Sequence, residues 1–178
     1  MKRAVIAVIE YLLGFLALTV FAAYAFVHGA PTEDRWVFSF KLGACLAALE
    51  LLVLARRAVP INRLILGANI WLLVGGLAAF LQQWWLLRGY ERFGEASLFA
   101  AMLAVGIVST AVNPRGFVAV SGPRRKVLLA SSALLAAVAV ALVIAVSFRG
   151  NVKVAAVLPV IALSWLNRAL QRYAREVA

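Results

Sequence analysis

The chain has 178 residues, 65% of them hydrophobic, and a mean hydropathy of +0.97. That composition excludes the water-soluble globular classes, and the apolar stretches leave no length for a separate soluble domain. The net charge of +11 would point to nucleic acid in a soluble protein, but here it is explained by where the arginines fall between those stretches, so no nucleic-acid partner is expected.

Six apolar stretches run at about residues 4–27, 36–55, 64–87, 96–112, 127–148 and 152–166. A helix needs about 20 residues to cross a hydrocarbon layer of about 30 Å, and each stretch reaches or nearly reaches that length. Only helices and closed barrels satisfy their backbone amides in lipid. Barrel strands alternate apolar and polar over about 10 residues, whereas these runs are continuous. The expected fold is an all-α membrane protein, a single-domain polytopic bundle of six transmembrane helices.

The first stretch follows Met1-Lys2-Arg3 and contains Ala23-Tyr24-Ala25, which has features of a cleavable signal. It is longer than the usual apolar core of about 7–15 residues and Glu10 interrupts it, so a retained span is expected. Gly29-Ala30-Pro31-Thr32 closes it, because proline cannot continue a helix. His28 is the chain's one histidine and cannot build a His-rich metal or haem site by itself. The second stretch carries Trp36, Lys41, the single cysteine Cys45, and Glu50. No internal disulfide is possible with one cysteine, and a buried thiol behaves as a small hydrophobe.

The third stretch carries Gly67, Asn69, Gly75 and Ala79 and ends in Gln82-Gln83-Trp84-Trp85. Trp36, Trp84, Trp85, Tyr90, Trp165 and Tyr173 read as interface anchors, apolar at one end and hydrogen-bonding at the other. Asn113-Pro114-Arg115-Gly116 ends the fourth stretch, and Phe117-Val118-Ala119-Val120 reads as a plain loop. In the fifth, Ala133, Ala137, Ala141 and Ala145 recur every four residues and predict a close-packing face, within the chain or as a homo-oligomer or partner seam. Pro159 in the sixth predicts a kink.

With the N-terminus inside, twelve of the eighteen basic residues fall in inner segments and five in outer ones, with Lys41 inside a span. Lysine and arginine resist translocation, so both termini are expected in the cytoplasm of a bacterial-type inner membrane. Arg56, Arg57, Arg124, Arg125 and Lys126 are candidate contacts for anionic headgroups.

Ionisable residues within spans are costly and mark functional candidates. Glu10, Lys41 and Glu50 are such residues. Glu10 lies seven residues past Arg3, Glu50 six before Arg56 and Asn69 six past Arg63. All three are therefore about 9–10 Å inside the cytoplasmic end, and serines and threonines such as Ser109, Thr110, Ser131, Ser132 and Ser164 fall near the same level. A carboxylate pair there, with Asn69 completing its shell, can carry a proton or bind a cation. The competing structural reading has Arg3 and Arg57 meeting Glu10 and Glu50 on their own helix faces, and the hydroxyls bonding back to helix carbonyls. Lys41 snorkels outward or meets Gln82 or Gln83 at similar depth. No catalytic triad, glycine-rich phosphate loop or metal-ligand spacing is present, so neither an enzyme nor a cofactor is expected. The expectation is a small-solute or ion transport component with a cytoplasm-facing polar site at Glu10, Glu50 and Asn69. The alternative is a non-catalytic partner-binding or assembly subunit.

Overall fold

In the computed structural model, the described residues are 15–27, 29, 32–56 and 60–175. Glu10, His28, Arg57 and the signal-like start lie outside them. Among the described residues there are seven α-helices and no strand: α1 (Leu16–Phe26), α2 (Glu33–Ala55), α3 (Arg63–Phe80), α4 (Trp84–Phe93), α5 (Ala96–Val112), α6 (Arg124–Ser147) and α7 (Leu158–Arg175). A π-helical segment, Lys153–Val157, leads into α7.

Four helical stretches are long and apolar enough to cross a membrane: α2, α3, α6 and the continuous Lys153–Arg175. The pair α4 and α5, bent by 100° at Gly94–Glu95, makes a fifth if it crosses as one span. The protein is therefore a multi-pass helical membrane protein with four or five candidate spans among its described residues. On α2, Ser39, Phe40, Gly43, Ala44 and Ala47 are buried, while Phe38, Cys45, Leu49 and Leu52 are exposed on the opposite side. A helix that is apolar all round has no face suited to water, which is the condition for immersion in lipid. Cys45 thus sits on an outward face and not in the interior.

Helix boundaries follow local chemistry. Thr32 caps α2 by accepting from the Arg35 amide at 3.4 Å, with Glu33 and Asp34 in the first turn, where the helix dipole favours negative charge. The third apolar stretch, expected to run to Leu87, stops at Phe80. There the Gln83 amide bonds the Ala78 carbonyl at 2.8 Å, and Gln82 takes φ of 53°. This is a Schellman-type stop with a left-handed residue after the last turn. Pro159 lacks an amide, and its ring crowds the carbonyl four residues earlier. The π-helical turn just before it widens the spacing there.

The residues pack as two compact units, one within 1–59 and 68–90, the other within 60–67 and 91–178. In the first unit, α1 packs on α2, and Phe21, Phe40, Trp71 and Tyr90 form an aromatic core. Phe21 and Phe40 have ring centroids 4.8 Å apart, Phe21 and Trp71 5.1 Å, and Phe40 and Tyr90 5.3 Å. Offset and edge contacts of this kind add to plain apolar burial. Trp36 joins the cluster at 5.1 Å from Phe40. Trp36 and Tyr90, expected at the interface, are half-buried and take part in this cluster. Gly75 and Gly76 allow α3 to reach α2, since a methyl at either would overlap the Phe40 ring or the Ala44 methyl.

In the second unit, α6 packs against both α5 and α7. Its buried residues include Val127, Ser131, Leu134, Val138, Ala141 and Ala145, alternating steps of four and three. The expected alanine face is buried within the chain only along its second half. A step of four turns a helix by about 400°, so a four-residue stripe drifts by about 40° each time. Ala133 is accordingly exposed and Ala137 half-buried, while Ala141 and Ala145 are buried. The 117–120 segment is a second departure, for all four residues are buried at 5% exposure or less. Its Phe117 amide donates to Ser131 Oγ at 3.0 Å, and its Val118 carbonyl accepts from Gln171 Nε2 at 2.9 Å. A buried loop needs such partners for its backbone.

Candidate functional site

Glu50 lies in the second turn from the end of its apolar run, on α2 of the first unit, and is half-buried. Oε2 accepts from Asn69 Nδ2 on α3 at 3.0 Å, and Oε1 accepts from the Ala17 amide on α1 at 2.8 Å. Asn69 is 1% exposed. The Ala17 amide belongs to the first turn of α1, where backbone donors have no partner within their own helix. That turn also carries the positive end of the helix dipole. One carboxylate thus joins three helices.

The partners of Glu50 are neutral. Among the described residues no lysine, arginine or histidine nitrogen forms an ion pair with it; its contacts are backbone and amide hydrogen bonds. The Leu16 amide, one residue earlier in the same turn, also acts on the carboxylate; since an ionised carboxylate accepts about four hydrogen bonds, acceptor capacity remains. The Ala17 and Asn69 donors and the positive end of α1 favour the ionised form of this carboxylate, whose remaining lone pairs are where a proton would bind. Two of the residues singled out from the sequence, Glu50 and Asn69, are thus brought together. The contribution of Ala17 had no side-chain signal in the sequence, because its part is played by a backbone amide.

The other candidates lie elsewhere. Lys41 Nζ sits over the Phe80 ring, 5.5 Å from its centroid, a cation–π placement. Gln82 is exposed in the turn after α3. Gln83 bonds the Leu81 carbonyl at 3.2 Å and accepts from Trp85 Nε1 at 3.1 Å. Neither glutamine is hydrogen-bonded to Lys41. Thr110 and Ser164 donate back to Gly106 and Val160 in their own helices, at 2.8 and 2.7 Å, the ordinary behaviour of hydroxyls in spans. Arg56, Arg124 and Arg125 are exposed, and Lys126 lies over the Tyr173 ring at 5.6 Å.

The second unit holds a polar pair that the sequence reading missed. Asn62 Oδ1 accepts from the Leu64 amide at 3.0 Å, capping α3, and from Asn167 Nδ2 at 3.3 Å. Asn167 is 2% exposed, and its Oδ1 has no hydrogen-bond partner among the described residues. Its signal in the sequence is an amide three residues past Ser164 and four before Gln171 on one helix. No protein family model matches this chain, and neither a curated protein nor a solved structure matches it.

Proposed function

We propose that the chain is a transport component for a proton or small cation, working through Glu50 with Asn69 in a multi-pass membrane domain. The observation that carries this reading is a carboxylate within a candidate span, fixed by two neutral donors and lacking a cationic partner among the described residues. A charge at membrane depth is expensive, and its packing needs an acceptor but not a charge: a neutral amide oxygen would serve the Ala17 amide and Asn69 as well. A titratable group with acceptor capacity left over is what a proton or cation carrier requires.

The proposed topology has six crossings, with both termini on the cytoplasmic side of a bacterial-type inner membrane. It takes α1 as part of the first crossing and α4 with α5 as the fourth. The arginine distribution supports it, with Arg56, Arg63, Arg115, Arg124, Arg125, Arg168 and Arg172 all falling on the inner side. Glu50 then lies nearer the cytoplasmic surface, beneath the aromatic core.

The test is flux through proteoliposomes containing the full chain. A trapped pH dye follows protons and radiolabelled sodium follows the cation, under an imposed gradient. Glu50→Gln keeps an acceptor for the Ala17 amide but removes the titratable, anionic group. We expect it to lower flux by about tenfold or more, the scale for loss of an essential charged contact. Glu50→Asp should retain part of the flux. Equal flux in wild type, Glu50→Gln and empty liposomes would rule the reading out.

A further inference from the structure

A cleft of about 230 Å³ on the first unit is lined by Glu33, Asp34, Val37, Phe38 and Lys41 of α2 and by Trp84 of α4. Asp34, Phe38 and Lys41 stand at i, i+4 and i+7, so they share one helix face. The cleft carries both signs of charge, yet among the described residues no ion pair joins Lys41 to Glu33 or Asp34. The offset of seven or eight residues explains why: it sets their backbones about 10–12 Å apart along the axis. Space between opposite, unpaired charges fits a ligand carrying both signs itself.

The orientation is specific. The acids stand at the start of α2, beyond the apolar run, and Lys41 stands deeper within it. A ligand must therefore present its cation outward and its anion toward the hydrocarbon. Phe38, Trp84 and Phe80, the ring beneath Lys41, are 50%, 44% and 55% exposed, and Leu77 and Leu81 beside Phe80 are 58% and 59% exposed. A free polar solute would leave these apolar surfaces bare, whereas acyl chains would cover them.

We propose that this cleft seats the headgroup of a zwitterionic phospholipid with a primary ammonium. Its phosphate meets Lys41, its ammonium meets Glu33 and Asp34, and its chains lie over Phe38 and Phe80. A primary ammonium donates three hydrogen bonds to carboxylates and a quaternary one donates none, so the acids select an ethanolamine over a choline headgroup. The proposal rests on the chain's lying in a bilayer and is independent of Glu50.

The experiment is native mass spectrometry of the full chain released from nanodiscs holding equal ethanolamine, choline and glycerol phospholipids. Wild type should retain ethanolamine lipid over choline lipid by about fivefold or more, as expected when charge-assisted hydrogen bonds are gained. Retention should fall stepwise through the mono- and dimethylated headgroups, a comparison that requires no substitution. The double variant E33Q/D34N should bring the ethanolamine-to-choline ratio close to one, and K41Q should lower retention of both lipids. Equal retention of ethanolamine and choline lipids by wild type would overturn the proposal. So would preference for the glycerol headgroup, or an unchanged ratio in a normally eluting, helical E33Q/D34N. Binding of free phosphoethanolamine to the delipidated chain, undisplaced by lipid, would identify a solute site and overturn the lipid assignment.

Discussion

Asn69 and Asn167 are both almost fully buried, at 1% and 2% exposure, in different units, and their surroundings are opposite. Asn69 completes a carboxylate, with its Nδ2 3.0 Å from Glu50. Asn167 reaches Asn62 at 3.3 Å and leaves its own Oδ1 without a partner among the described residues. The same side chain at the same burial thus has two meanings. In the first unit it fixes a titratable carboxyl group within a candidate span, which is a reason to look for chemistry there. In the second it is a long amide contact with one unmet acceptor, which costs about as much as it contributes.

Thermal unfolding of the full chain in a single detergent tests this contrast. Asn69→Leu should have the largest effect, a loss of about 2–3 kcal/mol, because it strips a hydrogen bond from a half-buried carboxylate and removes a fully buried amide fitted to it. Glu50→Ala should follow at about 2 kcal/mol, leaving the Ala17 amide and Asn69 Nδ2 unsatisfied. The two losses should not add in the double variant, since they break one network. Additive losses would mean that the bond does not couple them.

Ser131→Ala, in the second unit, should cost about 1–2 kcal/mol by orphaning the buried Phe117 amide. Asn167→Leu should cost less than about 1 kcal/mol, since the lost bond is long and an unsatisfied acceptor goes with it. A cost there equal to that of Asn69→Leu would break the contrast between the units. The smallest effect expected is a gain. Gln82→Gly should stabilise by about 0.5–1 kcal/mol, because glycine accepts the positive φ without strain. An unchanged or lowered midpoint would show that the Gln82 side chain holds the turn.

Counting residues from the flanking arginines was enough to put Glu50 and Asn69 at one depth. Depth along a helix follows from rise per residue, which does not depend on packing. The Ala17 amide was invisible, because every helix start offers such donors and only assembly decides which meets a carboxylate. That Trp36 and Tyr90 join an aromatic cluster was not legible, since an aromatic near a helix end has the same composition whether or not it also meets a neighbouring helix. The stop at Phe80 carried no glycine or proline to announce it. The buried 117–120 segment reads Phe-Val-Ala-Val, and its burial depends on Ser131 and Gln171 arriving from other helices.

What the amino-acid order determined alone is that the chain is helical and belongs in lipid. Backbone amides without water must be satisfied locally, and continuous apolar runs leave one way to do so. Which face of each helix is inside, which polar groups meet, and which stand alone were decided by tertiary packing. A helix in lipid is apolar on all sides, so hydrophobicity no longer tells the inner face from the outer. Close contacts such as Phe40 on Gly75, and hydrogen bonds such as Glu50 to Asn69, make that choice instead.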